Sequence, residues 1–157
     1  MKKNNFIIIF LSLIIFNFGC SSVKEATEVR EEKKIRNDVK LKPIKNISWI
    51  NTMPESNNKF NISGKFFLLK DSEYNFKEIE LKNIKVFQDG IEVFNIIPKV
   101  ITNITNKDKK FTYSTLRGVS LNPKLKKDKT VMFELNFKEG SNILKYWIDN
   151  IKIEKAK

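Results

Sequence analysis

Two short basic stretches hold the side chains best suited to a chemical role. "NKDKKFTYSTLRG" carries Lys107, Lys109, Lys110 and Arg117, and "NPKLKKDK" carries Lys124, Lys126, Lys127 and Lys129. Only Asp108 and Asp128 oppose them within that span. Such an excess of cations suits contact with an anionic surface, whether an acidic protein, a glycan or lipid head groups. Phe111 and Tyr113 interleave with the charges, as in grooves where single-stranded nucleic acid stacks its bases between backbone-tracking cations. The same lysines also fit plain solvated loops. Lys, Asn, Ile and Phe are abundant together, the bias of AT-rich coding sequence, and that bias raises lysine everywhere.

Groups for catalysis are scarce. The chain has no histidine, the commonest general base and the commonest transition-metal ligand. Ser–His–Asp, Cys–His and His-bearing zinc arrangements are therefore excluded. Cys20 is the only cysteine, which excludes an internal disulfide and a Cys-rich metal centre. Glu78 and Glu80 alternate with Ile79 and Leu81 as a solvated strand edge would, and Asp71 and Glu73 lie in a polar turn. A glycosidase needs two carboxylates facing each other across a cleft, and neither pair has that context. No Gly-rich phosphate loop or EF-hand spacing occurs. The expectation is a protein that is not an enzyme and that uses no metal and no cofactor.

Cys20 closes the stretch "IIFNFGCSS". It could be a buried thiol, half of an intermolecular disulfide, or a point of covalent attachment. "MKKNN" is a short basic start, and "FIIIFLSLIIFNF" is an apolar run of 13 residues broken by Ser12 and Asn17. A membrane-spanning helix needs about 20 apolar residues. The pattern is that of a cleaved secretory signal with the small Gly19 before the scissile bond. An uncleaved anchor and a secreted chain with a free thiol are the remaining readings.

Met1 to about Ser22 resembles the signal peptide of bacterial lipoproteins, whose lipobox ends in a small residue followed by cysteine. Asn17 and Phe18 stand where Leu and then Ala or Ser are usual. The resemblance implies cleavage after Gly19 and acylation of Cys20 (diacylglyceryl and palmitate-like chains), and it says nothing of the fold. Each buried CH₂ contributes about 0.8 kcal/mol and one chain alone holds weakly, so a multiply acylated cysteine makes a stable tether. Ser21, in place of Asp, implies the outer membrane or cell surface rather than the inner membrane. Loss of Lys2 and Lys3 with the signal would take the formal charge from +12 to +10. Nucleic acid does not fit that location.

Residues 20–43 form an expected lipidated N-terminus and charged spacer. The spacer is dense in both charges, and Val23, Ala26, Val29 and Ile35 make only a narrow apolar stripe. The pairs Glu32–Arg36 and Glu31–Lys34 would support a transient helix. A docking helix is the alternative to a spacer that, as a coil, spans on the order of 25 Å.

From about residue 44 the period becomes two. "KFNISGKFFLL" puts Phe60, Ile62, Gly64, Phe66 and Leu68 on one strand face, and "VMFELNF" does the same for Val131, Phe133, Leu135 and Phe137. "NILKYWIDNIKIE" aligns Leu144, Tyr146 and Ile148. In "IKVFQDGIEVF", Asp89–Gly90 spells a two-residue hairpin turn with positive φ at both positions. That register sets Val86 against Val93 on one face and puts Phe87 and Phe94 on the other. Gly140 marks a second hairpin, and Gly118 predicts a bulge. Pro54, Pro98 and Pro123 punctuate loops or strand ends.

The fold expected over 44–157 is all-β: an antiparallel β-sandwich of about seven strands, immunoglobulin-like in size, with a small barrel as the alternative. The signal would occupy 1–19. The expected function is a membrane-anchored, non-catalytic binding or accessory module of the cell envelope, touching an anionic partner through its basic loops. The alternative is a carrier of a small apolar ligand in an internal cavity.

Overall fold

Alternation of apolar and polar side chains lays this chain out as ten strands and no helix among the residues that the computed structural model describes, 37–52, 58–71 and 73–156. Cys20, the signal segment, residues 22–36 of the spacer and Pro54 lie outside them. The strands are β1 (Leu41–Asn51), β2 (Lys59–Leu69), β3 (Glu80–Gln88), β4 (Ile91–Ile96), β5 (Lys99–Ile104), β6 (Asp108–Ser114), β7 (Val119–Ser120), β8 (Val131–Glu139), β9 (Asn142–Ile151) and β10 (Ile153–Ala156). They form a six-stranded sheet in the order β10-β1-β2-β6-β5, with β7 also paired to β2, and a four-stranded sheet in the order β4-β3-β8-β9. The two sheets make a β-sandwich, not a closed barrel.

The inner faces are the positions the period-two reading selects. Phe60, Ile62, Phe66 and Leu68 of β2 and Phe133, Leu135 and Phe137 of β8 are fully inaccessible to solvent. Phe66 stacks on Phe111 with centroids 5.0 Å apart, and Phe137 of the opposite sheet meets both rings edge-on at 5.6 and 5.8 Å. Edge-to-face and offset pairs of this kind add to the area each ring buries.

Gly64 makes room in this layer. It pairs with Asn46 on one side and Tyr113 on the other. A Cβ there would lie 2.5 Å from the Tyr113 hydroxyl and against Asn46 Oδ1. That hydroxyl donates to Asn46 Oδ1 at 2.7 Å, and burial pushes the phenol well above its ordinary pKa. Ser48, also on the inner face, donates to Lys152 O at 3.0 Å where the chain crosses from β9 to β10.

Four expectations need correction. The folded part begins before residue 44: Leu41–Pro43 pair with Phe66–Leu68, and Val39 is already buried. Lys40 and Lys42 alternate with these apolar residues, so the start of β1 looks like spacer in one dimension. The count is ten strands rather than seven, because β5, β7 and β10 are short or lie at an edge.

The first hairpin keeps its turn, with Asp89 at φ 52° and Gly90 at φ 78°, but the ladder slips beyond it. Val86 faces Phe94 rather than Val93, which is the extra residue of a bulge. Phe94 therefore turns inward and stacks on Phe60 at 4.6 Å. At Gly118, with φ 65°, the interruption is wider than a one-residue bulge: Thr115 still bonds Ile62 of β2, Leu116–Gly118 leave the ladder, and β7 rejoins β2 at Phe60.

Gly64→Ala should lower stability by about 1–3 kcal/mol, because the methyl group would press on the Asn46 and Tyr113 side chains, and the Tyr113 ring is fully buried. Urea unfolding of the variant should show an earlier midpoint. An unchanged midpoint would mean that Tyr113 and Asn46 are free to move apart.

Candidate anionic interface

The eight cations singled out above do not form one patch. Lys109 pairs with Leu68 at one end of β2, while β7, which leads into the second cluster, pairs with Phe60 at the other. The eight positions between Phe60 and Leu68 separate the two ends by about 27 Å at about 3.3–3.4 Å per residue. Lys107 lies in the turn before β6, and Arg117 is exposed in the excursion before β7.

Lys109 is not a surface contact. It sits at an inward position of β6 with 5% of its surface exposed. Its Nζ donates to the carbonyls of Lys77 and Ile79, both at 2.7 Å, and stands over the Phe111 ring at 5.4 Å. The ammonium thus closes the end of the sandwich where the chain crosses from β2 to β3. Desolvation pushes its pKa below the ordinary lysine value, with Glu80 opposing the shift. Alternation alone places it inside, between Lys110 and Asp108, but an inward lysine is uncommon enough that charge suggested surface. Lys110 points outward, 6.0 Å from the Phe67 ring.

The second cluster rides on a loop held by specific bonds. Gln88 Nε2 donates to Lys126 O at 2.9 Å and Thr130 O at 3.3 Å, and its Oε1 accepts from Lys126 N at 2.7 Å. Leu125 is buried beneath the loop, and Asn122 Nδ2 donates to Val93 O at 2.7 Å. Lys129 and Lys126 pair with Asp89 of the hairpin turn at 2.7 and 3.6 Å. The Lys129 bond, followed by the weaker pull of Lys126, holds the Asp89 carboxyl below its usual range. Lys124 and Lys127 are exposed and make no described ion pair. Gln88 and Asp89 shape this loop, a role that the local reading of the Asp89–Gly90 turn does not contain. Their link to residues 126–130 depends on a contact across about 40 positions that no local spacing reveals.

Among the described residues no group of three or more His, Cys, Asp or Glu could hold a metal ion. Glu134, on the outer face of β8, is 6% exposed, accepts from Asn136 Nδ2 at 3.1 Å and pairs with Lys145 at 3.5 Å. Its partners satisfy it in place. Among the described residues no helix is long and apolar enough to cross a membrane.

Lys109→Ala leaves two carbonyls without their donor and should cost about 1–3 kcal/mol, whereas Lys124→Ala should stay within about 0.5 kcal/mol. The folded-state pKa of Lys109 lies below its unfolded value of 10.5. The unfolded chain therefore binds more protons between those two values, and stability rises with pH there. Urea melts should show wild type gaining on Lys109→Ala between neutral pH and pH 10.5. A constant gap would mean the amine is solvated.

Comparison of the chain with protein-family models, with curated proteins and with solved structures found no match.

Proposed function

We propose that the protein is a lipid-anchored, non-catalytic binding module of the cell envelope, tethered by acylated Cys20 and meeting an acidic partner through cations carried on a rigid β-sandwich. The observation that carries the binding part is the Lys124–Lys129 loop. Its backbone is fixed by Gln88 and Leu125 while Lys124 and Lys127 stay in solvent. A loop already ordered before contact loses little conformational freedom on binding, and loops on rigid scaffolds are where binding residues concentrate.

The inner Phe rings favour a surface site over a carrier cavity. Phe66, Phe111 and Phe137 touch one another instead of lining a void. The anchor rests on the order of basic start, short apolar run, Gly19 and Cys20, and on the stability that several acyl chains give such a tether.

Mass analysis of the native N-terminus tests the anchor. The expected first residue is Cys20 bearing a diacylglyceryl group; an unmodified Cys20 with residues 1–19 attached would refute it. Crosslinking of the anchored protein in intact cells tests the loop. An acidic partner should be recovered, with recovery falling at least tenfold in Lys124→Glu/Lys126→Glu/Lys127→Glu and declining with salt. Equal recovery from wild type and variant would remove the loop from the account.

A further inference from the structure

Strand parity and register gather a second set of cations that no single stretch of sequence displays. On the six-stranded sheet, the residues between the buried positions point away from the four-stranded sheet. In one row Lys42 faces Phe67, which faces Lys110. In the next, Lys45 faces Lys65, and Thr112 separates Lys65 from Ile101. In the third, Ser114 lies between Ser63 and Lys99. Lys42, Lys45, Lys65, Lys99 and Lys110 thus share one face of four adjacent strands. At about 4.8 Å between strands and about 6.8 Å between same-face residues, the patch is about 14 Å on a side.

None of these five lysines takes part in a described ion pair; those pairs use Lys40, Lys82, Lys85, Lys126, Lys129 and Lys145. Among the described residues no carboxylate stands on the three rows; the nearest acid along this face is Asp108, one row beyond Lys110 on β6, where it accepts from Thr105 Oγ1 at 2.9 Å, and Glu154 lies further off beside Trp49. Lys45 directly opposite Lys65 is a like-charge pair that costs stability, and nothing described on the face offsets it. An external anion would.

The shape and composition of the face select the kind of anion. The hollow beside Lys45 and Ile47 is walled on its other side by residues 148–152 and touches none of Lys42, Lys65, Lys99 or Lys110, so the complement of the five lysines is itself extended. Ile47, Trp49, Phe67 and Ile101 lie among the lysines, and Ile101 is 61% exposed. Aromatic and aliphatic groups between lysines suit the bilayer interface, where rings settle at head-group level and lysine stems keep their ammonium in water. Lys42 also lies at the beginning of the folded part. The 22 positions from Cys20 to Lys42 reach on the order of 26 Å as a coil.

We propose that the outer face of the six-stranded sheet docks the domain on an anionic phospholipid surface. The inference rests on the lipid-anchored reading for its setting, and it makes the tether a two-signal attachment in which acyl chains hold the protein and the lysine face orients it.

The test is co-sedimentation of residues 34–157, which form one compact unit holding both sheets, with phosphatidylcholine vesicles made with and without phosphatidylglycerol. Binding is expected only with phosphatidylglycerol, weakening from low to physiological salt. Lys45→Gln/Lys65→Gln should lower it about tenfold or more, as should Lys42→Gln/Lys110→Gln. Lys124→Gln/Lys127→Gln should lower it far less. Replacing Lys45 and Lys65 removes a repulsion, so the variant should unfold no earlier than wild type.

Equal binding to neutral vesicles, absence of binding, or loss through the loop pair rather than the face pair would each overturn the proposal. So would face-dependent binding of heparin without vesicle binding, which would make the partner a polyanionic glycan. The assay contains no acyl chain, so its failure leaves the acylation of Cys20 standing, and an unmodified Cys20 leaves a positive vesicle result standing.

Discussion

The contact of Phe137 with Phe66 and Phe111 joins the two sheets, and the rest of the molecule is arranged around it. These rings come from β8 on one side and from β2 and β6 on the other. Each is central in its sheet, so fixing them fixes the parity of every paired strand. Gly64 then has to be small because Tyr113 lies across it. Once parity is fixed, each remaining side chain has its side assigned: inward into the apolar layer, or outward to whatever surrounds the domain.

That assignment sorts the lysines. Lys109 falls on the inward side and is retained because two carbonyls receive its protons. Lys126 and Lys129 fall on a loop close to Asp89 and are partly neutralised there. Lys42, Lys45, Lys65, Lys99 and Lys110 fall together on a flat face without a described acid partner. The described lysines are thus divided by geometry into structural, locally paired and unpaired groups. Only the last are available to an outside anion at full strength.

The legible part of the fold was the part governed by local period. The β2 and β8 faces and the Asp89–Gly90 turn follow from alternation and from φ requirements, which a short stretch displays. β5 was not legible because its exposure scarcely alternates; it is held as an edge strand through backbone pairing with β6. The inward turn of Phe94 required knowledge of a bulge at Val93, which a register drawn from the turn outward cannot anticipate. The basic loops were found as runs of charge, yet Lys109 was misplaced because charge was weighed above parity. The lysine face escaped notice since its members come from four strands and adjoin only after pairing. Lys110 was visible only as part of a basic run, and Lys65 only as a lysine between Gly64 and Phe66.

Orientation is what distinguishes a docked domain from one merely tethered, and the two tryptophans report it. Trp49 lies on the outer face of the six-stranded sheet, and Trp147 on the outer face of the four-stranded sheet. With Trp147→Phe, the emission of Trp49 should move to shorter wavelength and be quenched by spin-labelled lipid when phosphatidylglycerol vesicles are added. With Trp49→Phe, the emission of Trp147 should stay as it is in buffer. A response from Trp147 and none from Trp49 would contradict the account, because the opposite face would then be the one against the lipid.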